Sequence, residues 1–553
     1  MNFSEFKGIK QYHDGTAVSD YNNVIPLGNS VIDRLGEERL YAGTGTPRGS
    51  FRDSLGNIYI VIADKVHRYT YDGVAISSHS VMQGRYGDTI IDDYTLKSLT
   101  GAITFCESTV KPSQVYLCDG QYIYQWNTED EEKHYSPMSD HAQIYPWHNA
   151  FIIRMMIVPD VMPIGYGTDV DTQLTMNDID PYYIYETGAS PTSDALLDLS
   201  TAVKITAVTW FDNKLVLVQR EKNTVWLSAT DPNQFYRLTR HEFEDDGAYA
   251  YLPAVSMWND DGTESKLWYS WYASTNSADR LNTAIGFGGN LYLQNEATIE
   301  PWSRTGNEDA PLSANSLSTI YHGGRNPIII ANTLFIICRD QAGNEFIGAL
   351  QGTELTRISN TEIEQRINNK AIDLVTITMR DETFLAVRMA TGISYCYNRM
   401  GFWWKLQNPI QASEYAVWSI ARDIAVSNNG SIIRFINTSR TLCDGTAITR
   451  SIRDFFMHFD GRKICRSIEL VMDTGKSCDT TLPTDVQKTV YCRVSFDRGH
   501  SFGPYRYRVL GQPGNNDVVI IWRNAGSGNS LLPEFGTSAN YQFQLYQVKI
   551  QIA

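Results

Sequence analysis

Residues 56–73, Gly-Asn-Ile-Tyr-Ile-Val-Ile-Ala-Asp-Lys-Val-His-Arg-Tyr-Thr-Tyr-Asp-Gly, decide the fold. β-Forming residues run from Ile58 to Ile62, a polar turn follows around Asp64 and Lys65, and β-formers resume from Val66 to Tyr71. Apolar and polar side chains alternating between Gly, Asn and Asp mark a β-hairpin. The unit returns at Val115 to Trp126, Lys214 to Leu227, Asn290 to Trp302, Thr333 to Ile347, Thr383 to Tyr397 and Ile424 to Ile436. A lone hairpin cannot bury its apolar face, so a series of them must pack on one another. The expected fold is all-β, a β-propeller-like array of hairpins.

Around that series the texture changes. Residues 1–50, with Pro26, Pro47 and many Gly, read as an irregular N-terminal arm. The propeller is expected over 51–449, interrupted at about 127–200 by acidic loop material of the kind that carries partner contacts. Residues 359–371 give the clearest helix: Asn360 or Thr361 can cap it, and Ile363 and Ile367 share a face. From about Arg450 the strands lengthen, which predicts a C-terminal β-sandwich-like region over 450–553.

Composition narrows the function. The chain of 553 residues carries a net charge of −15, unevenly placed: residues 450–553 hold 13 Lys and Arg against 9 Asp and Glu, and the remainder 34 against 53. An acidic body disfavours duplex binding, which depends on neutralising phosphates with cations. The 32 Tyr and 12 Trp exceed what strand propensity needs and favour extensive subunit contacts. Eight cysteines without a C-x-x-C pair or a nearby His at ligand spacing read as reduced strand residues, so no metal and no cofactor is expected. No apolar run is long enough to span a bilayer.

Candidate chemistry is sparse. Ser495-Phe-Asp497-Arg-Gly499-His-Ser-Phe502 fits the Asp-box pattern of propeller hairpins, in which Asp497 accepts amides, Gly499 supplies a positive φ and Phe502 tucks beneath. It is a structural turn. There is no P-loop and no H-E-x-x-H, so no catalytic residue is assigned and the chain is read as a non-enzyme. Gly286-Phe-Gly288-Gly289 joins two strands and is a turn. The acidic pairs Asp169/Asp171 and Asp178/Asp180 lack the glycine and closing Glu of a calcium loop. In Phe402-Trp403-Trp404, adjacent strand residues face opposite sides, so one Trp can fill the core and the other meet a neighbour. Trp403 and Trp404, with the cations Arg506 and Arg508, are the candidate interface residues. The alternative function is a carbohydrate-binding or sialidase-like propeller anchored on the two Trp and the Asp box.

Three stretches carry a family resemblance: the hairpin Trp210-Phe-Asp-Asn-Lys-Leu-Val-Leu-Val-Gln, the segment Tyr395-Cys-Tyr-Asn-Arg-Met-Gly-Phe-Trp-Trp, and the early Asp20-Tyr-Asn-Asn-Val-Ile-Pro-Leu. Together with the closing Val494-Ser-Phe-Asp-Arg-Gly and Val518-Val-Ile-Ile-Trp-Arg, they resemble the tail hub of short-tailed bacteriophages, the packaged DNA stabilisation protein. The resemblance implies a propeller-containing virion protein of the tail, assembled in the host cytoplasm as a homo-oligomer, a hexameric ring. Its implied partners are an adaptor ring below the portal, a tail needle or plug, and tailspikes or fibres, with DNA passing through without tight binding. It transfers no catalytic residue.

Overall fold

The computed structural model describes residues 1–127, 205–227, 280–475 and 488–553 apart from short stretches within them, and strand segments between 241 and 273. The expected insertion at 127–200, including its acidic pairs, lies outside the described residues. Within them the chain is nearly all strand, with one α-helix, Thr361–Ile367. The Asn360 side chain caps that helix by accepting from the Ile363 N–H at 3.0 Å, and Ile363 and Ile367 are buried. The helix stops short of residue 371 because Asn369 adopts a left-handed φ of 56°.

The hairpins form a β-propeller. Five blades are separate four-stranded antiparallel sheets. They begin at Pro47–Arg52, Ile205–Phe211, Leu281–Phe287, Gly323–Ile330 and Val417–Ala421. Two further units complete the circle: a three-stranded sheet opening at Thr104–Glu107, and four strands opening at Ala371–Met379 that hydrogen-bond onward into the C-terminal region. The opening strands are the inner ones. Each touches the next around the ring, and Val417–Ala421 comes back against Pro47–Arg52.

Local chemistry explains the repetition. In four units the first and second strands are joined by two residues that both have positive φ: Asp212-Asn213, Gly288-Gly289, Ala331-Asn332 and Arg380-Asp381. That is the turn whose twist matches a hairpin. The second strands are covered on both faces, as in Lys214–Gln219, where all six residues are buried.

Residues 1–50 are not an irregular arm. They carry β1 (Asn2–Phe3), β2 (Asp20–Asn22), β3 (Val24–Pro26), β4 (Val31–Asp33) and β5 (Gly36–Tyr41) before the first blade opens. β1 and β4 pair with Gln544–Ile552, and β2 lies between Arg450–Arg453 and Trp403–Leu406. β5 is the fourth strand of the last blade, beside Ile432–Ile436. Strands of two to six residues are too short to show a period, and their partners lie at the far end of the chain, as in Asn2 opposite Lys549.

The C-terminal region is two sheets sharing one long strand. Ile520–Thr537 pairs with Met457–Met472 along its first part, then with Thr489–Ser495 and Arg450–Arg453 along its last. Trp522 and Phe535, both fully buried, meet at 6.1 Å between the centroids. At Gly526, with φ +130°, a Cβ would lie 2.4 Å from the Phe496 ring, so only glycine lets that ring close over the strand.

Candidate interaction surface

A buried charge cluster fixes the C-terminal sheets to the propeller. Asp33, at the end of β4, receives Arg440 Nε at 2.5 Å, Arg450 Nη1 at 3.1 Å and Arg380 Nη2 at 3.0 Å. The Phe543 N–H donates to the same carboxylate at 3.1 Å. Arg380 comes from a blade turn, Arg440 from the segment after the last blade and Arg450 from the first C-terminal strand. One side chain thus ties four parts of the chain together. Nearby, Arg34 and Glu37 form a second fully buried pair. The hydroxyls of Tyr12 and Tyr21 both donate to Asp454, and burial followed by that carboxylate pushes both phenols upward. Sequence reading missed these residues, because nothing local distinguishes Asp33 from a turn aspartate.

Trp403 and Trp404 do not form an interface. They do face opposite sides of their strand, yet both sides are covered: Trp403 is 2% and Trp404 0% exposed. Trp403 packs among Ile9, Ile363 and Tyr395 and donates its Nε1–H to the Ile358 carbonyl at 3.2 Å. Trp404 meets Phe384 edge-on at 5.5 Å in the main core. The neighbouring blade and the helix cover the face that was expected to be open. Trp126 and Trp302 are buried as well.

The Asp-box turn forms as its sequence dictates. Ser495 Oγ donates to Asp497 at 2.7 Å and accepts from the Gly499 N–H at 2.8 Å, while the Ser501 N–H reaches Asp497 at 2.9 Å. Gly499 has φ +91°. Hydrogen bonds from Ser501, then Ser495, hold the Asp497 carboxyl down at about 2. Phe502 is half-buried between Arg453 and Arg493, each 4.7 Å from its ring centre. The turn builds one end of the sheet.

Arg506 and Arg508 lie on the short strand Arg506–Val509, which among the described residues pairs with Thr489–Ser495 alone. They behave as backbone caps. Arg506 donates to the carbonyls of Asn524 at 3.0 Å and Arg523 at 2.6 Å, and Arg508 to Ile521 at 2.8 Å. Neither has a carboxylate partner among the described residues. Their role in holding the open side of Ile520–Thr537 was not legible from charge alone. Beside them Tyr505, Tyr507 and Val509 are exposed.

At the propeller closure, the Tyr41 hydroxyl of β5 lies 2.8 Å from His79 Nδ1, and His79 Nε2 lies 3.1 Å from His67 Nδ1. The two rings are parallel to within 5° and meet nitrogen to nitrogen. If Tyr41 donates to His79 and His79 to His67, every contact is satisfied with both rings neutral. Burial first, then His79 and Lys65, pushes His67 down to about 4.

Among the described residues no group of three or more His, Cys, Asp or Glu could hold a metal ion, and no helix is long and apolar enough to cross a membrane. The fold and these contacts define a β-propeller scaffold whose polar side chains act on its own backbone and on one another. A family model described as Phage_stabilise, Bacteriophage P22 Gp10, beta-propeller, matches residues 164–426. This is the family that the hairpins resemble, and the match supports a phage packaged-DNA stabilisation protein. No curated protein matches the chain. Among solved structures, the β-propeller domain of Myceliophteria thermophila Cps50 (Swd1) is similar over 73% of this chain and 99% of that chain, at 8% identity and a TM-score of 0.38. BBS1N in complex with ARL6DN is similar over 74% and 98%, at 11% identity and a TM-score of 0.35.

Proposed function

We propose that this chain is a structural virion protein, the ring-forming hub of a short phage tail, working as a scaffold rather than a catalyst. In this reading it assembles in the host cytoplasm as a homohexamer under the portal and its adaptor ring. It receives a needle or plug and tailspikes or fibres, retains packaged DNA and then conducts it outward. The observation that carries the reading is the match of residues 164–426 to the family of the P22 Gp10 propeller. The net charge of −15 supports a conduit that DNA passes without sticking, since an acidic wall repels phosphates. The buried clamps support a rigid subunit that meets neighbours with its shape preset. Cryo-EM of intact particles tests it: six copies should encircle the tail axis, and particles lacking the protein should package DNA and leak it. A single copy at one site, or tight salt-sensitive duplex binding by the isolated protein, would overturn it.

A further inference from the structure

The outer face of the C-terminal sheets carries a ladder of alternating cations and rings. Arg453 lies over Phe502, and Arg493 lies between Phe502 at 4.7 Å and Tyr505 at 4.8 Å. Tyr491 meets Tyr505 edge-on at 4.9 Å and is itself seated on Gly536, where a Cβ would come within 2.6 Å of its ring. Tyr505 and Tyr507 then stand outward, 49% and 57% exposed, with ring centres 6.3 Å apart. Their hydroxyls have no hydrogen-bond partner among the described residues.

The charge at this ladder does not balance. Arg453 and Arg493 both bind Glu534, at 2.7 Å each, so two guanidiniums share one carboxylate. Arg506 and Arg508 on the adjoining strand add two more cations with no acid among the described residues. Exposed tyrosines, one of them packed on an arginine, beside positive charge that has no acid partner among the described residues, have the composition of an interface hot spot.

We propose that the Tyr505 and Tyr507 face, with the Arg453 and Arg493 ladder beneath it, docks an acidic protein surface. Free phenol hydroxyls would donate to the partner's carboxylates while the rings cover its apolar stems. The positive potential comes from guanidiniums already committed to rings, to Glu534 or to backbone carbonyls. That arrangement suits a few fixed carboxylates better than a phosphate rail, which needs several freely reaching cations. The inference deepens the virion reading above by assigning a contact surface and rests on it for the partner's setting. Its assay needs no ring, so the two can fail separately.

The test is fluorescence anisotropy of a labelled oligoglutamate peptide titrated with the full-length protein. Tyr505→Ala with Tyr507→Ala changes no charge and should weaken binding about tenfold or more. Tyr507→Ala alone, at the more exposed position, should weaken it by a smaller factor, and circular dichroism should show both variants folded. Four results would overturn the proposal: no binding by the parent protein, equal binding by the double variant, tighter tyrosine-dependent binding of a short DNA duplex, or tyrosine-dependent self-association without peptide.

Discussion

Asp33→Asn isolates the cluster that joins propeller and C-terminal sheets. Asparagine keeps the size of the side chain and one carbonyl acceptor, removes the charge, and replaces the other acceptor oxygen with an NH2 that cannot accept from the arginines. Arg380 is 31% exposed and can turn to water, whereas the Arg440 and Arg450 side chains are 0% exposed. Those two cations would stay buried with the Asp33 charge gone. Arg440 would keep the Asn437 carbonyl at 2.9 Å and Arg450 the Tyr541 carbonyl at 2.6 Å, which soften the loss without neutralising it. Breaking a buried pair costs about 3–5 kcal/mol, and here two cations lose one partner, which places the expected loss at the upper end of that range. Urea unfolding of the full chain, followed by tryptophan fluorescence, reads it as a lower midpoint. Adding Arg440→Met to Asp33→Asn should recover part of the loss, because it removes one unpaired charge. A loss below about 1 kcal/mol, the range of a surface pair, would refute the reasoning.

Trp403→Ala should cost about 3–5 kcal/mol through the cavity it leaves, seen as a lower melting temperature; a neutral result would return Trp403 to the surface. Arg508→Glu should cost about 1 kcal/mol in the same melt, because the Ile521 carbonyl loses its donor, whereas a purely electrostatic role would leave stability within about 0.5 kcal/mol. Stability should also depend on pH through the closure pair. His67 is pushed down to about 4 by burial, His79 and Lys65, and His79 is lowered by burial. The unfolded chain therefore binds more protons between about 4 and the ordinary value of 6.5. The pair's contribution is complete above that upper value and is lost as pH falls toward about 4. Melting temperature against pH should flatten in that window for His67→Asn with His79→Asn, and an unchanged slope would count against the neutral pair.

The parts of this fold that were legible are those whose signal is local. The hairpin at 56–73 announces itself because strand, turn and strand lie within one window, and the Asn360 cap because its acceptor and donor are three residues apart. The Asp box was readable for the same reason. β5 was not, since a six-residue strand whose partner is Ile432–Ile436 has no neighbour in sequence to confirm it. Trp403 and Trp404 misled because alternation fixes which way each ring points and says nothing of what covers it. Arg506 and Arg508 were visible as charges, but their carbonyl acceptors lie 13 to 18 residues further along the chain. The Tyr-Arg-Tyr-Arg run at 505–508 did carry a signal, alternating rings and cations on a strand edge, that pointed to the surface.

The last blade borrows β5 from the opening of the chain, and this sets an order of events during synthesis. β5 has no strand to pair with until Ile432–Ile436 follows, 391 residues after Tyr41 when counted to Ile432. At bacterial or eukaryotic elongation rates that interval is roughly 20–80 s. Throughout it the nascent propeller is an open arc, with an inner strand exposed at each end. A strand edge in that state is the kind that pairs with a neighbouring chain. Circularisation therefore waits until residues 432–436 have been made, and a ribosome stalled before residue 432 would display an adhesive, unfinished ring.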